Sequence, residues 1–61
     1  MQTLRVGDHV RHSVTEEMGQ VIGLILEDHS PRVHLYNVEW FRPMGSYRFA
    51  VRPDRLKYVE A

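Results

Sequence analysis

Among the side chains able to do chemistry, arginine stands out. Arg5, Arg11, Arg32, Arg42, Arg48, Arg52 and Arg55 leave Lys57 as the lone lysine among the eight basic residues. A guanidinium pairs bidentately with carboxylate or phosphate and stacks on aromatic rings, so this preference points to contact surfaces. The charges are also unevenly placed. Residues 1–41 balance at −3, from three arginines against Asp8, Glu16, Glu17, Glu27, Asp28 and Glu39. Residues 42–57 balance at +4, with Asp54 alone opposing Arg42, Arg48, Arg52, Arg55 and Lys57, and Glu60 brings the chain to zero.

The other reactive types do not assemble into a recognisable catalytic pattern. Without cysteine there is no thiolate nucleophile and no disulfide. Glu16-Glu17 and Glu27-Asp28 are adjacent pairs, and neighbours on an extended chain face apart, unlike an acid and base flanking one substrate. His9 and His12, three residues apart, point to opposite faces of a strand. His29 and His34 flank Pro31, but no carboxylate or thiolate completes a metal-ligand spacing. Ser13, Ser30 and Ser46 each lie beside a turn signal and read as turn residues. No catalytic residue, no metal and no cofactor is therefore expected.

The elements that must position these groups are short strands. Gly7-Asp8 opens a first strand around Val10, and the polar stretch Ser13 to Met18 is a loop. Gln20 to Leu26 is nearly continuous in apolar character, with Gly23 marking a bulge or bend. Asp28 to Pro31 is a turn. From Val33 to Phe41, Tyr36, Val38 and Trp40 alternate with Asn37 and Glu39, the period of a strand with one face on a core. Arg42 to Ser46 turns the chain. Tyr47, Phe49 and Val51 then alternate with Arg48, Ala50 and Arg52, which predicts an inward aromatic face and an outward pair of arginines. Pro53-Asp54 begins a 3₁₀ turn, and Leu56, Tyr58 and Val59 form a closing strand. Two adjacent aromatics cannot share a strand face, so with Trp40 inward Phe41 is expected outside, beside Arg42, Pro43 and Met44.

The longest apolar run, Val21 to Leu26, is far below the ~20 residues of a membrane helix. Met1 to Arg5 has no apolar leader, so a cytoplasmic protein without membrane contact is expected. At 61 residues, with no disulfide or metal to staple it, the chain must rely on tight packing or on association.

The opening Val6-Gly7-Asp8-His9-Val10-Arg11, followed by Gly19-Gln20-Val21-Ile22-Gly23, resembles the start of KOW and Tudor-type barrels. Tyr36-Asn37-Val38-Glu39-Trp40 and Arg52-Pro53-Asp54-Arg55-Leu56 are similar to segments of small SH3-like barrel proteins of tailed bacteriophages. The resemblance implies an all-β fold for residues 1–61, a five-stranded SH3-like barrel with a 3₁₀ turn before the last strand. A further similarity, to the type II plasmid dihydrofolate reductases, covers Gly7-Asp8 with Val10-Arg11, Gly19 to Gly23 and Gly45-Ser46. It departs where that family's pore needs Val-Gln-Ile-Tyr and this chain has Tyr47-Arg48-Phe49-Ala50, so the reductase site is not carried over.

The expected function is a non-enzymatic interaction or assembly module. Arg42, Arg48, Arg52 and Arg55, with Phe41 and Met44, are its candidate contact residues, and a protein partner or a second copy is favoured because the net charge is zero. A nucleic-acid surface, with these arginines on phosphates, is the first alternative, and a type II dihydrofolate reductase-like enzyme is a distant one.

Overall fold

Three valines mark the inward faces of the first three strands. Val10, Val21 and Val38 lie on three consecutive strands at 0–1% exposure, and Tyr36, Trp40, Val51 and Leu4 complete the buried cluster around them. Burying such a side chain contributes roughly 1.5–3 kcal/mol, so these positions set which face of each strand turns inward. The computed structural model describes residues 4–29 and 32–60. In it the chain forms β1 (His9–His12), β2 (Met18–Leu26), β3 (Val33–Arg42), β4 (Gly45–Val51), a 3₁₀ turn (Pro53–Arg55) and β5 (Leu56–Val59).

All pairings are antiparallel and the sheet order is β4-β3-β2-β1-β5. The expected five strands and the 3₁₀ turn are present. Closure into a barrel is not seen, because β4 and β5 end the order and do not pair with each other. The expected turn over Asp28 to Pro31 falls partly on residues 30 and 31, outside the described residues.

Local chemistry explains the connections. The Asp8 carboxylate accepts from the Arg5 backbone N–H at 2.8 Å while Asp8 N–H donates to the Arg5 carbonyl at 3.0 Å, closing the turn that Gly7-Asp8 predicts. Asp8 and Gly7 then bond to both backbone groups of Val21, at 2.9 and 2.8 Å. The loop after β1 spans only residues 13–17. It is held by His12 N–H to the Glu17 carbonyl and Glu16 N–H to the His12 carbonyl, both 2.9 Å, with Glu16 at φ 62°. At the β3–β4 hairpin Arg42 pairs with Gly45, so Pro43 and Met44 alone form the loop and Gly45 takes φ 132°, a conformation side chains resist.

Strand β2 bends where Gly23 predicts. Val21 pairs with Val38 and Gly23 with Asn37, which leaves Ile22 as the extra residue of a bulge. A second irregularity pairs Ile25 with Leu35 and Leu26 with Val33, skipping His34. At ~3.3 Å per residue, β2 and β3 are roughly 30 Å long, which accounts for much of a molecule measuring 39 × 21 × 20 Å.

Gly19 is the tightest point. A Cβ there would lie 2.7 Å from Val38 Cγ1 and 2.8 Å from both the Glu39 carbonyl oxygen and Trp40 Cε3, whereas one on Gly23 would meet the Asn37 side chain at 3.5 Å. Gly19→Ala should therefore lower stability by about 1–3 kcal/mol in urea unfolding, as overpacking does. Gly23→Ala should be neutral or raise stability by up to about 1 kcal/mol, because alanine costs less entropy in a strand. Equal effects would show that the Gly19 contact carries no weight.

Candidate functional site

The inner face of β4 does not end in a sealed core. Tyr47 pairs with Trp40, Phe49 with Val38 and Val51 with Tyr36, so alternation puts all three β4 residues on the core side, as expected. Only Val51 is buried. Tyr47 is half-buried and Phe49 is 61% exposed, because among the described residues no strand pairs beyond β4. The result is an open cleft of about 330 Å³. Trp40, Phe49 and Val51 supply its apolar lining, while His12, Thr15, Glu17, Arg42 and Tyr47 supply its polar groups.

A polar network runs along the cleft. Arg42 Nε donates to Glu17 Oε2 at 3.0 Å, and Nη2 donates to the Tyr47 hydroxyl at 2.9 Å. That hydroxyl donates in turn to the Glu17 carboxylate, at 3.3 and 3.2 Å from its two oxygens. The guanidinium carbon also lies 4.0 Å from the Tyr47 ring centroid, a cation–π contact. The Arg42 hydrogen bond is the main reason the Glu17 carboxyl titrates below its ordinary value of 4.5, against a smaller opposing effect of burial. Arg42 is correspondingly raised, chiefly by its hydrogen bond to Glu17. A carboxylate held in its ionised form by a guanidinium is a poor proton donor and a weakened base.

His12 holds the loop that carries Glu17. Its Nδ1 accepts from the backbone N–H of Val14 at 3.1 Å and of Thr15 at 3.2 Å, which places the ring proton on Nε2. The ring lies against Trp40 with centroids 5.7 Å apart. Thr15 Oγ1 accepts from Glu17 N–H at 3.3 Å. The 3₁₀ turn adds a tie to the same loop, since Ser13 N–H donates to the Arg55 carbonyl at 2.8 Å.

The arginine series divides among three places. Arg42 continues the inward alternation of β3 and lies in the cleft. Arg48 stands exposed on the opposite face of β4, across from Glu39, whose carboxylate accepts from Ser46 Oγ at 3.0 Å. Arg52 lies just past β4, 3.4 Å from Asp54, and Arg55 ends the 3₁₀ turn. Arg48 and Arg52 thus do not form a row on one strand. Phe41 is on the outer face at 46% exposure, as alternation predicts, and Met44 is 99% exposed at the hairpin tip. Among the described residues no three histidine or carboxylate side chains gather as a metal site, and no helix is long and apolar enough to cross a membrane.

Sequence reasoning missed Glu17, His12 and Phe49 as parts of one site. The exposed placement of Phe49 depends on the open sheet, which no local pattern reports. No known family, no curated protein and no solved structure matches the chain.

Two measurements test this site. With its pKa lowered on folding, Glu17 adds stability at pH values above the ordinary 4.5, and that stability is lost as pH falls through the depressed value. Arg42→Met should move the Glu17 titration midpoint, followed by carboxyl NMR, up toward the ordinary value and flatten the acid side of the stability profile. An unchanged midpoint would refute the pair. His12→Phe keeps a ring beside Trp40 but removes the acceptor, so amide exchange at Val14 and Thr15 should accelerate while that of Val38 stays slow. Unchanged exchange at the loop would show that Nδ1 does not hold it.

Proposed function

We propose that this chain is a small SH3-like barrel, open at the β4 end, and a non-enzymatic protein-interaction module that binds a partner through β4 and the hairpin before it. The bent β2 and the 3₁₀ turn before β5 support the fold assignment, together with the KOW and Tudor-like opening motif. By the same resemblance it belongs among small bacterial or phage barrels that work in the cytoplasm.

One observation carries the binding reading. β4 is flanked by exposed apolar side chains on both faces, Phe49 at 61% on the inner side and Phe41 at 46% on the outer, with Met44 at 99% at the tip. Aromatics and methionine interleaved with arginine are the composition enriched in protein interfaces. β4 is also an edge, with no neighbour beyond it among the described residues, so an extended segment can add to it as a further strand. The partner's apolar side chain then enters the cleft beside Phe49, and Arg48 meets a carboxylate from the outer face.

A nucleic-acid surface is the second reading. It is favoured by Arg48 and Arg55, whose side chains make no hydrogen bond or ion pair among the described residues. The paired state of Arg42 and the Arg52–Asp54 contact leave fewer cations for a phosphate track than the sequence suggests.

Gel retardation with generic duplex DNA and single-stranded RNA at about 50 mM salt separates the two, since phosphate binding is strongest there. No retardation is expected, and retardation abolished by Arg48→Glu would overturn the protein reading. In nuclease-treated bacterial extract, the immobilised chain should retain protein that the Phe41→Ser/Phe49→Ser variant does not. That variant should keep its fold, because neither side chain belongs to the buried cluster.

A further inference from the structure

The outer face of the sheet sets two cations side by side. Val10 is fully buried on β1, so alternation turns its neighbour Arg11 away from the core. Arg11 lies directly across from Lys57 of β5, and both are exposed. Facing positions bring Cβ atoms to about 4.5–5.5 Å, where like charges repel and cost stability. Neither side chain makes a hydrogen bond or ion pair among the described residues. Glu39 shares this face but lies on β3, two strands and roughly 10 Å away. There it faces Arg48 and accepts from Ser46 Oγ at 3.0 Å.

The same row turns apolar across the next two strands. Arg11 pairs with Met18 of β2, which is half-buried. Because Gly19 pairs with Trp40, Met18 lines up with Phe41 of β3, which is 46% exposed. With strands about 4.8 Å apart, the middle of the cation pair and the middle of the Met18–Phe41 pair are roughly 10 Å apart.

We propose that this row binds an acidic protein segment. An Asp or Glu carboxylate sits between Arg11 and Lys57, and an apolar side chain of the same segment lies over Met18 and Phe41. Charge complementarity selects the occupant, since a carboxylate between the two cations relieves the repulsion that the register imposes, and the guanidinium can meet it bidentately. A phosphate backbone fits less well. Its track would need cations where the row has Met18 and Phe41, and Glu39 in the adjoining row repels it. The surface lies on the face opposite the cleft and shares Phe41 with the β4 contact, so it goes beyond that reading and does not depend on it.

The probe is a fluorescein-labelled peptide with two adjacent glutamates and a phenylalanine three residues on, a span of about 10 Å when extended. Fluorescence anisotropy at about 50 mM salt should show saturable binding that weakens several-fold at about 500 mM, as exposed charges require. Glutamine in place of both glutamates should weaken binding about ten-fold or more. Arg11→Glu and, independently, Lys57→Glu should do the same while raising the urea midpoint, since each turns a like-charge pair into an opposite one. A residue with a merely structural role would not lose binding and gain stability together. The Arg11→Glu/Lys57→Glu variant should instead bind the peptide that carries lysines for the glutamates. Equal affinity for the glutamate and glutamine peptides, or no saturation up to about 1 mM peptide, would overturn the proposal. So would a generic single-stranded DNA that binds more tightly than the peptide and is lost in Arg11→Glu, which would make this face a nucleic-acid surface. Phe49→Ser should leave the peptide affinity unchanged, and a loss there would place the peptide in the cleft and refute this site. Failure of β4 to retain protein, with peptide binding intact, refutes the β4 reading and leaves this one standing.

Discussion

The close approach of Gly19 to Val38 and Trp40 fixes the relation of the two long strands, and the sheet is built outward from it. With a hydrogen in place of a side chain, β2 lies against the Val38 Cγ1 and Trp40 Cε3 atoms, and the strand pair is locked in a register that also matches Val21 to Val38. Val10 on β1 is paired with the same glycine, so three strands share one contact and their inward faces coincide. Trp40 is then held between Gly19, the His12 ring and the cross-strand Tyr47. From that point the loop carrying Glu17 and the strand carrying Tyr47 are both set, and Arg42, two residues past Trp40 on the same face, falls between them.

The cleft network is therefore a product of register. Glu17 and Arg42 are 25 residues apart in sequence yet lie 3.0 Å apart across the β2–β3 pair. The network satisfies Arg42 with a carboxylate, a phenol oxygen and a ring face, and it leaves Phe49 beside it with nothing to cover it. In the proposed module this internally paired polar rim orients the partner while the exposed aromatic supplies the apolar burial.

Most of the fold was legible in the sequence because its signals are local. Alternation through Tyr36, Val38 and Trp40 and through Tyr47, Phe49 and Val51 put β3 and β4 in place with their faces correctly assigned, and Pro53 marked the 3₁₀ turn. Phe41 followed from Trp40 by the same rule. The site was less legible. Reading Arg42 to Ser46 as one turn detached Arg42 from the β3 alternation, and so hid that it points inward with Trp40. The real loop is only Pro43-Met44 because Gly45 turns within the ladder. Tyr47 and Phe49 were correctly given a face, but alternation reports which face a side chain takes and says nothing about whether another strand covers it. That depends on β4 and β5 meeting, a property of the whole chain.

Unequal strand lengths tie the two exposed regions to one cause. β2 and β3 have nine and ten residues while β1 and β5 have four each. Strand β1 pairs only with Met18 to Gln20 of β2, and β4 pairs with β3 no further than Tyr36, opposite Leu24, so among the described residues the β2–β3 pair runs on past Leu24 as a two-stranded ribbon. The same shortage leaves β4, seven residues long, without a strand on its outer side among the described residues. A chain of 61 residues that spends nineteen on two long strands has too few left to surround them. Lengthening β5 alone would not seal both gaps, since β5 lies beyond β1 and reaches neither the far end of β2 nor the edge of β4 within the sheet order. Both surfaces are thus built into the strand plan.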